Sequence, residues 1–585
     1  MKSANSKEKL FFRILIFILT IVSLAAMAKT LFVSIDIDES YAIAQSYRLA
    51  QGDRLLRDMW EPHQFSAYLS AIFIKLYLIL FHSTDGLVIF LRLTGSMIHV
   101  LLGVALYFAF RRFASARTSL LLCFLHLNFL PKWIQTPEFE LMQYWLTAVV
   151  FLTFLQFYLG SRRRVWLAVS GVCMLLQLFN YPTMILLYPF YIAGIVSLES
   201  SRKARLKNTG MVTLSAGIPG MVFLIYLLSY MTPREMLSNL TYILSDPSHT
   251  GANGLGVRLG GFALDFLKDL LFLGLLFLPC LLLAWLVRKL LHSLPSGQPL
   301  RSLCVSAALL ESVLLCLYQM ISCLLFDENQ FFLQQRYLLF ACIGLGLFVS
   351  AKNRTRPQRV LFWFAVVPSI VSVVASALLT NMSINTAYSK LFLCVPAVFL
   401  QLSAEAGEDG KDCVISYLVP VLALLGSLLV CKLVLIRVTG CLPVTMRANI
   451  QQMETGPLKG VYVTSELQQA LSSDYALLSQ YVTAEDNLFY FGCESLLYAG
   501  TDARISVAST LCSAVFNQDF LDYLELHPEK YPTVIAVDKT FPLTDAYHYN
   551  PYNYIVADWI AAVCANADFV DTDYMTIYFL GTSTQ

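Results

Sequence analysis

The sequence has few charged residues. Asp, Glu, Lys and Arg make up 14% of the 585 residues, and 57% are hydrophobic, whereas a soluble domain carries about 25% charged residues. This composition excludes a soluble globular protein and indicates a polytopic membrane protein. The net charge of +2 is small, and the basic residues are spread between apolar segments, so we expect no nucleic-acid partner.

Several local signatures are also missing. The sequence shows no glycine-rich nucleotide-binding loop, no internal repeat, and no small-residue cleavage site after its first apolar run. That run therefore predicts a retained helix and not a signal peptide. Four of the fourteen cysteines lie outside the apolar runs. These four, Cys441, Cys493, Cys512 and Cys564, could pair, but their spacing is not that of a zinc site.

The dominant feature that is present is a series of thirteen apolar runs. Most of them approach the roughly 20 residues that a helix needs to span a bilayer. We therefore predict about thirteen transmembrane helices. The runs lie near residues 10–33, 87–110, 118–135, 141–159, 165–179, 182–198, 210–230, 265–288, 302–326, 337–351, 360–379, 391–402 and 414–437.

Basic residues orient these helices, because short cytoplasmic loops carry an excess of Lys and Arg. Lys2, Lys7 and Lys9 predict a cytoplasmic N-terminus, which puts the segment after the first helix outside. The later basic loops then also fall on the cytoplasmic side. They lie at 111–117, 162–164, 202–207, 288–289 and 352–359.

A further apolar run, 65–81, would reverse every later loop if it crossed the membrane. It contains Lys75 and is followed at once by His82, so we predict an interfacial segment that does not cross. The alternative is that it crosses and another run does not. The stretch before it, 40–51, predicts a short interfacial helix that Gly52 ends.

The chain changes character after residue 437. From 438 to 585, β-rich runs at 460–464, 488–492 and 533–538 alternate with helical patterns. An odd number of crossings precedes this part, so we predict an outward-facing, extracytoplasmic α/β domain. Residues 1–437 are then the transmembrane module, with a first external loop at 34–86.

Three acids stand within four residues at the start of this loop: Asp36, Asp38 and Glu39. A carboxylate at an outer membrane rim can act as a general base toward an acceptor. Paired acids can also bind a divalent cation or orient a sugar. The alternative is that they only cap and solvate the helix that begins near Ser40.

The order of these features resembles the GT-C superfamily of integral membrane glycosyltransferases, which includes protein O-mannosyltransferases and aminoarabinose transferases. One spanning helix is followed by "DIDESY", an interfacial helix ending in "LAQGDRLLRDMWEPHQ", a non-crossing segment, and a many-helix bundle with an outer C-terminal domain. The resemblance covers the topology to about residue 437. It implies a GT-C-like fold and a sugar donor linked to polyprenyl phosphate.

The resemblance also implies roles for residues at the start of the loop. Asp38 and Glu39 fall where the superfamily has its acidic pair, which makes Asp38 the candidate catalytic base. Tyr41 stands close to a tyrosine that often follows the pair. Asp36 is an additional acid, so the identity of the base stays open.

The stretch "GDRLLRDMWEPHQ" is similar to the superfamily's segment that closes over the site. By this likeness Arg54, Arg57 and His63 would contact the carrier phosphate. Glu61 would contact the acceptor or the sugar.

A second external acid is expected after the third crossing. The stretch "PKWIQTPEFELMQYW" offers Glu138 and Glu140, and Glu138 is the candidate catalytic residue; the alternative is a helix start at Pro137. In a later outer loop, Arg336 is a candidate for the lipid phosphate, which a guanidinium grips with two hydrogen bonds. The alternative for Arg336 is a side chain that snorkels to the interface.

The expected function is transfer of a sugar from a polyprenyl-phosphate-linked donor to an extracytoplasmic glycan, lipid or protein, in a bacterial plasma membrane. Direct displacement would invert the anomeric carbon. No cofactor is required by the pattern, with a divalent cation as an alternative. A transporter, a flippase or a non-catalytic lipid-binding protein is the alternative function; for transport the candidate is Glu311, an ionisable residue within an apolar run.

Overall fold

A computed structural model describes residues 2–580 with the exception of 62, 245–254, 291–298, 326–333, 352–353, 380–383, 406–416, 439–440, 446–448, 493, 512–517 and 540–552. Two of the four outer cysteines, Cys493 and Cys512, lie outside the described residues. Cys564 is buried as a free thiol.

Helices dominate the first three quarters of the chain. They are α1 (Lys2–Phe32), α2 (Ile37–Gln51), α3 (Tyr68–Phe81), α4 (Leu87–Phe110), α5 (Ala116–Asn128), α6 (Phe139–Leu159), α7 (Val165–Asn180), α8 (Leu187–Leu198), α9 (Arg202–Leu228), α10 (Pro233–Leu244), α11 (Leu255–Leu290), α12 (Pro299–Leu325), α13 (Gln335–Ser350), α14 (Arg356–Leu361), α15 (Val367–Leu379), α16 (Ile384–Ala387), α17 (Cys394–Glu405) and α18 (Leu418–Val434). A single π-helical turn, Phe362–Val366, joins α14 to α15.

These helices form a membrane bundle. Nine stretches of the described chain are long and apolar enough to span a bilayer, including Gln64–Phe81. The α6 helix and the segment Ile384–Glu405 are almost wholly buried, whereas α9 and α11 present most of their apolar surface outward. Such continuous outward-facing apolar surface is what lipid contact requires. The predicted polytopic helical fold is confirmed.

The α3 helix, whose composition would allow it to cross a bilayer, is bonded at both ends to other parts of the chain. Near its start, the Ser70 hydroxyl donates to the Pro137 carbonyl at 2.6 Å. Just after its end, Gly86 N–H donates to the Gly456 carbonyl in the C-terminal region at 3.1 Å. The two ends are thus bonded to the segment before α6 and to the C-terminal region; that this helix does not cross the membrane stays a prediction. When α2, α3 and α10 are set aside and α14–α15 and α16–α17 each count once, thirteen helical segments remain in the described chain.

The C-terminal part is an α/β domain, as predicted. It contains β1 (Leu435–Val438), β2 (Cys441–Thr445), β3 (Ile450–Gln452), β4 (Tyr462–Thr464), α19 (Ser465–Tyr481), β5 (Asn487–Phe491), β6 (Arg504–Ile505), α20 (Gln518–Leu526), β7 (Val534–Asp538), α21 (Asn553–Val563), β8 (Asp568–Asp571) and β9 (Met575–Phe579). The main sheet has the order β6-β5-β7-β9-β8. Strands β6, β5 and β7 run parallel, with Phe489 opposite Ile535, and β9 and β8 are antiparallel.

The first external loop packs into this domain. Ile43, Tyr47 and Trp60 belong to the same hydrophobic core as the strands of the main sheet. The α2 helix ends at Gly52, whose left-handed φ of 111° allows its N–H to bond back to the last turn. The predicted short helix with its glycine stop is thus present, and one of its faces is covered by the C-terminal domain; its position at the membrane interface stays a prediction.

Candidate functional site

The acids of the first loop surround the start of α2. Asp36 is the N-cap: its carboxylate accepts from Asp38 N–H at 3.0 Å, and carboxylates are favoured at this end of a helix. Asp38 lies in the first turn, with 29% of its side chain exposed. Glu39 points inward and is buried. Asp36 therefore caps the helix, whereas Asp38 and Glu39 lie beyond the cap in its first turn.

Glu39 is held by a buried network. Arg92, from the apolar α4, donates to both of its oxygens at 2.8 and 2.6 Å. Arg92 also donates to the carbonyls of Leu31 and Ser34 at 2.9 and 2.7 Å. The Thr136 hydroxyl adds a third donor to Glu39 at 2.6 Å. The network joins the end of α1, the start of α2, α4 and the segment before α6.

A tight turn brings a lysine to Asp38. Pro131–Trp133 form a 3₁₀ turn in which Lys132 and Trp133 both adopt left-handed φ values, 50° and 59°. Non-glycine residues avoid this region, and such strain concentrates at functional sites. The Lys132 ammonium pairs with the Asp38 carboxylate. Burial acts to lower the pKa of Lys132, but the neighbouring carboxylates, Asp38 foremost, outweigh it and raise that pKa.

The second acidic pair opens α6. Glu138 is the N-cap, and its carboxylate accepts from the backbone N–H groups of Glu140 and Leu141 at 2.8 and 2.6 Å. Burial and the nearby Glu140 raise the pKa of Glu138 to about 8. Glu140 pairs with Lys390 at 2.6 Å and accepts from the Tyr181 hydroxyl at 2.5 Å. Both acids are buried.

His63 borders the second pair. Its ring stacks on Phe139 with centroids 4.1 Å apart and meets the edge of Tyr181 at 5.0 Å. The Lys132 ammonium lies near the same Phe139 ring, 5.3 Å from its centroid. His63 therefore packs against Phe139, the residue between Glu138 and Glu140.

Two small crevices border these acids. One is lined by residues that include Lys29, Asp36 and Lys132. The other is lined by residues that include Glu140 and Lys390.

The structure places Glu61 and Arg54 elsewhere. Glu61 is buried against the C-terminal domain, where it accepts from Thr510 N–H at 2.6 Å and pairs with Arg48 at 3.3 Å. Arg54 is exposed, and its guanidinium lies 5.4 Å from the Tyr230 ring centroid. These contacts join the first loop to other outer elements, away from the paired acids.

Arg57 borders a group of residues that could hold a metal ion. Ligand atoms of Asp58, His527 and Glu529 all lie within 4.8 Å of one another. The Arg57 guanidinium, however, is 4.0 Å from Asp58 and 3.8 Å from Glu529. A cationic side chain of the protein therefore already lies beside both carboxylates. The group lies between the first loop and the C-terminal domain.

Tyr41 and Arg336 are both inside the bundle. Tyr41 is buried in the main hydrophobic core. Arg336 is buried at the start of α13, where it donates to the Gln319 side chain and, at 2.9 Å, to the Ser427 hydroxyl. These partners direct the Arg336 side chain into the bundle. It therefore neither snorkels to the interface nor contacts the paired acids in this structure.

Sequence reasoning did not single out Arg92, Lys132 or Lys390. Arg92 carried a signal, because an arginine within an apolar run marks a buried polar partner. Lys132 stands in the same stretch as Glu138, and Lys390 stands just ahead of an apolar run. Their contacts with particular acids emerge only from the fold.

Comparison with known proteins gives matches among solved structures only. No family model matches the chain, and no curated protein sequence matches it. The oligosaccharyltransferase of Archaeoglobus fulgidus in complex with Zn and sulfate is similar to 96% of this chain and 73% of its own, with 11% identity and a TM-score of 0.45. A second structure of the same archaeal enzyme, with an inhibitory peptide and a dolichol-phosphate, is similar over 97% of this chain and 74% of its own. Its sequence identity is 12% and its TM-score is 0.44.

ArnT from Cupriavidus metallidurans, bound to undecaprenyl phosphate, is similar over 97% of this chain and 98% of its own, with 12% identity and a TM-score of 0.41. These neighbours are membrane glycosyltransferases of the GT-C superfamily, the superfamily that the first loop resembles. With identities of 11–12%, the activity of this chain has to be argued from its own side chains.

Proposed function

We propose that this protein is a membrane glycosyltransferase that moves a sugar from a polyprenyl-phosphate-linked donor to an extracytoplasmic glycan, lipid or protein. The N-terminus is cytoplasmic, the paired acids and the C-terminal domain face outward, and the membrane is a bacterial plasma membrane. The positive-inside distribution of Lys and Arg supports this orientation.

The exposure of Asp38 carries the proposal. Of the five acids that the described chain gathers here, Asp36, Glu39, Glu138 and Glu140 are buried, and only Asp38 has a partly exposed side chain. A base must reach the proton that it takes, within about 3 Å or through one water. Asp38 can meet that requirement, with Lys132 fixing its carboxylate.

In the reaction, Asp38 takes the proton of the acceptor as the acceptor oxygen or nitrogen attacks the anomeric carbon. The bond from that carbon to the phosphate oxygen breaks on the opposite face, so the anomeric centre inverts. Asp36 and Glu138 fix the helix starts on either side, and Glu39 fixes the first turn of α2. His63, stacked on Phe139, contacts substrate.

Transfer of radiolabelled sugar tests this function. Purified protein in lipid would be offered a panel of polyprenyl-phosphate sugars, and wild type would be compared with Asp38→Asn. We expect a loss of at least about 10²-fold, the usual contribution of a general base. Asp568→Asn, an exposed acid on the edge strand β8, is the matched control and should transfer normally. Equal rates in wild type and Asp38→Asn would remove Asp38 as the base.

A lipid transporter is a second candidate, favoured by one observation. Glu311, in the middle of α12, is fully buried, and neither carboxylate oxygen has a hydrogen-bond partner among the described residues. Ionisable groups at such depth often mark transport pathways. Translocation of a fluorescent polyprenyl phosphate across liposomes, lost in Glu311→Gln, would support this candidate; no translocation by folded wild type would reject it.

A further inference from the structure

The acids of the two external loops are accompanied by lysines. We propose that the ammonium groups of Lys132 and Lys390 take the place of a divalent cation at this site, so that sugar transfer needs no bound metal. The two lysines then stabilise the charge that develops on the donor phosphate. This inference rests on the proposed function and names how that function is carried out.

Each of the five acids already has a partner. Glu39 receives two hydrogen bonds from Arg92, and Glu138 receives two from backbone N–H groups at the start of α6. Glu140 is paired with Lys390. A divalent cation needs several oxygen ligands at about 2.0–2.6 Å, and here it would have to displace these donors.

The remaining two acids, Asp36 and Asp38, fit a metal no better. Asp36 accepts from the backbone at the start of α2, and Asp38 is paired with Lys132. A chelating pair would need both carboxylates to turn toward one point, at the expense of the helix cap and the ion pair. The side chains of these five acids therefore do not fit a divalent cation.

The lysines are placed to act on a substrate. Lys132 lies in the strained turn beside Asp38 and lines the first crevice. Lys390 lines the second crevice beside Glu140. An ammonium carries three donor hydrogens, so each lysine can hold a carboxylate and also contact a phosphate oxygen.

The chemistry balances without a metal. The acceptor oxygen forms a bond to the anomeric carbon, and its proton passes to the Asp38 carboxylate. The bond from the anomeric carbon to the phosphate oxygen breaks, and its electron pair stays on the phosphate. Fixed cations aimed at developing charge lower such a barrier most effectively in a site that excludes water.

Manganese binding tests the proposal without requiring turnover. Full-length protein in lipid would be freed of metal with a chelator, and bound Mn²⁺ would be counted by electron paramagnetic resonance. All proteins would carry His527→Ala, which removes one ligand from the separate group at Asp58 and Glu529. We expect no Mn²⁺ site in this parent protein. Lys132→Ala should gain one, and adding Asp38→Asn to it should remove the gained site.

Transfer provides the second readout. With the chelator present, wild type should keep its rate, whereas Lys132→Ala should lose about 10²-fold, the scale of one electrostatic donor. Lys268→Ala, an exposed lysine paired with Asp265, is the matched control and should transfer normally. A Mn²⁺ site in the parent that Asp38→Asn abolishes, or a transfer rate that the chelator abolishes and Mn²⁺ restores, would overturn the proposal. If no donor supports transfer, the proposed function fails. The Mn²⁺ counts still show whether lysines or a metal ion neutralise the acids.

Discussion

Asp38 and Glu39 are adjacent in the sequence, but their carboxylates have opposite surroundings. Asp38 is partly exposed beside Lys132, whereas Glu39 is buried between Arg92 and Thr136. An acid that keeps one cation and some water can change its protonation during a reaction. A buried acid with three strong donors is better suited to hold backbone in place.

We therefore expect Glu39→Gln to act on folding. The substitution leaves the Arg92 charge buried without its counter-ion, which typically costs about 3–5 kcal/mol. Asp38→Asn should cost less than Glu39→Gln, because the ion pair of Asp38 is the more exposed of the two. Thermal unfolding in detergent would measure both. A Glu39→Gln protein that unfolds like wild type but transfers no sugar would instead make Glu39 a participant in the chemistry.

Glu138 predicts a pH dependence of stability. Burial raises its pKa from 4.5 to about 8, so the folded protein binds this proton more tightly than the unfolded chain does. The contribution is fully present below pH 4.5 and is lost as the pH rises through about 8. Wild type should lose unfolding free energy over this window. Glu138→Gln, which cannot ionise, should lack that part of the slope, and parallel slopes for the two proteins would contradict the raised pKa.

At the scale of elements, the site depends on a close approach between α4 and the segment that precedes α6. A Cβ added to Gly95 would lie 1.8 Å from the Gln135 carbonyl oxygen and 3.3 Å from the Pro137 side chain. Only glycine lets the helix pass this backbone. The approach fixes the short stretch from Lys132 to Glu138, which supplies a cation and an acid to the site.

Gly95→Ala should therefore force the two elements apart. We expect a loss of about 1–3 kcal/mol of unfolding free energy, the usual cost of overpacking, together with slower sugar transfer. Gly217→Ala in α9 is the control, because no atom lies within 4 Å of its added Cβ. Thermal unfolding and transfer rates would be compared for the two variants, and equal stability in both would show that α4 can shift without loss.

The elements themselves were largely predictable, because hydropathy and charge act over short stretches of chain. The apolar runs, the Gly52 stop and the strands near 488–492 and 533–538 all have their counterparts in the structure. The partners in the site were not predictable, because they are distant in the sequence. Glu39 lies 53 residues from Arg92, and Glu140 lies 250 residues from Lys390. Such pairs are fixed by helix packing and not by any local pattern.

At the scale of the whole molecule, Arg48 links the first loop to the C-terminal domain. Fully buried at the end of α2, it pairs with Glu61 and Asp53. It also donates to the carbonyl of Val507 at 2.9 Å. These bonds and the shared hydrophobic core join two parts of the molecule into one packed unit. The two parts are the loop that carries the acids and the C-terminal domain. Movement of the domain would thus be transmitted to the start of α2.

Arg48→Ala should loosen both parts at once. It leaves Glu61 as a buried, unpaired acid, at a cost of about 3–5 kcal/mol, and removes the bridge to the C-terminal domain. Hydrogen exchange would show faster exchange in α2 and in the main sheet of the C-terminal domain, while α6 in the bundle keeps its protection. Arg504→Ala, an exposed arginine on β6, should leave all three regions unchanged. Faster exchange confined to α2 would mean that the C-terminal domain is stable without its contacts to the first loop. The prediction that the two parts unfold together would then be wrong.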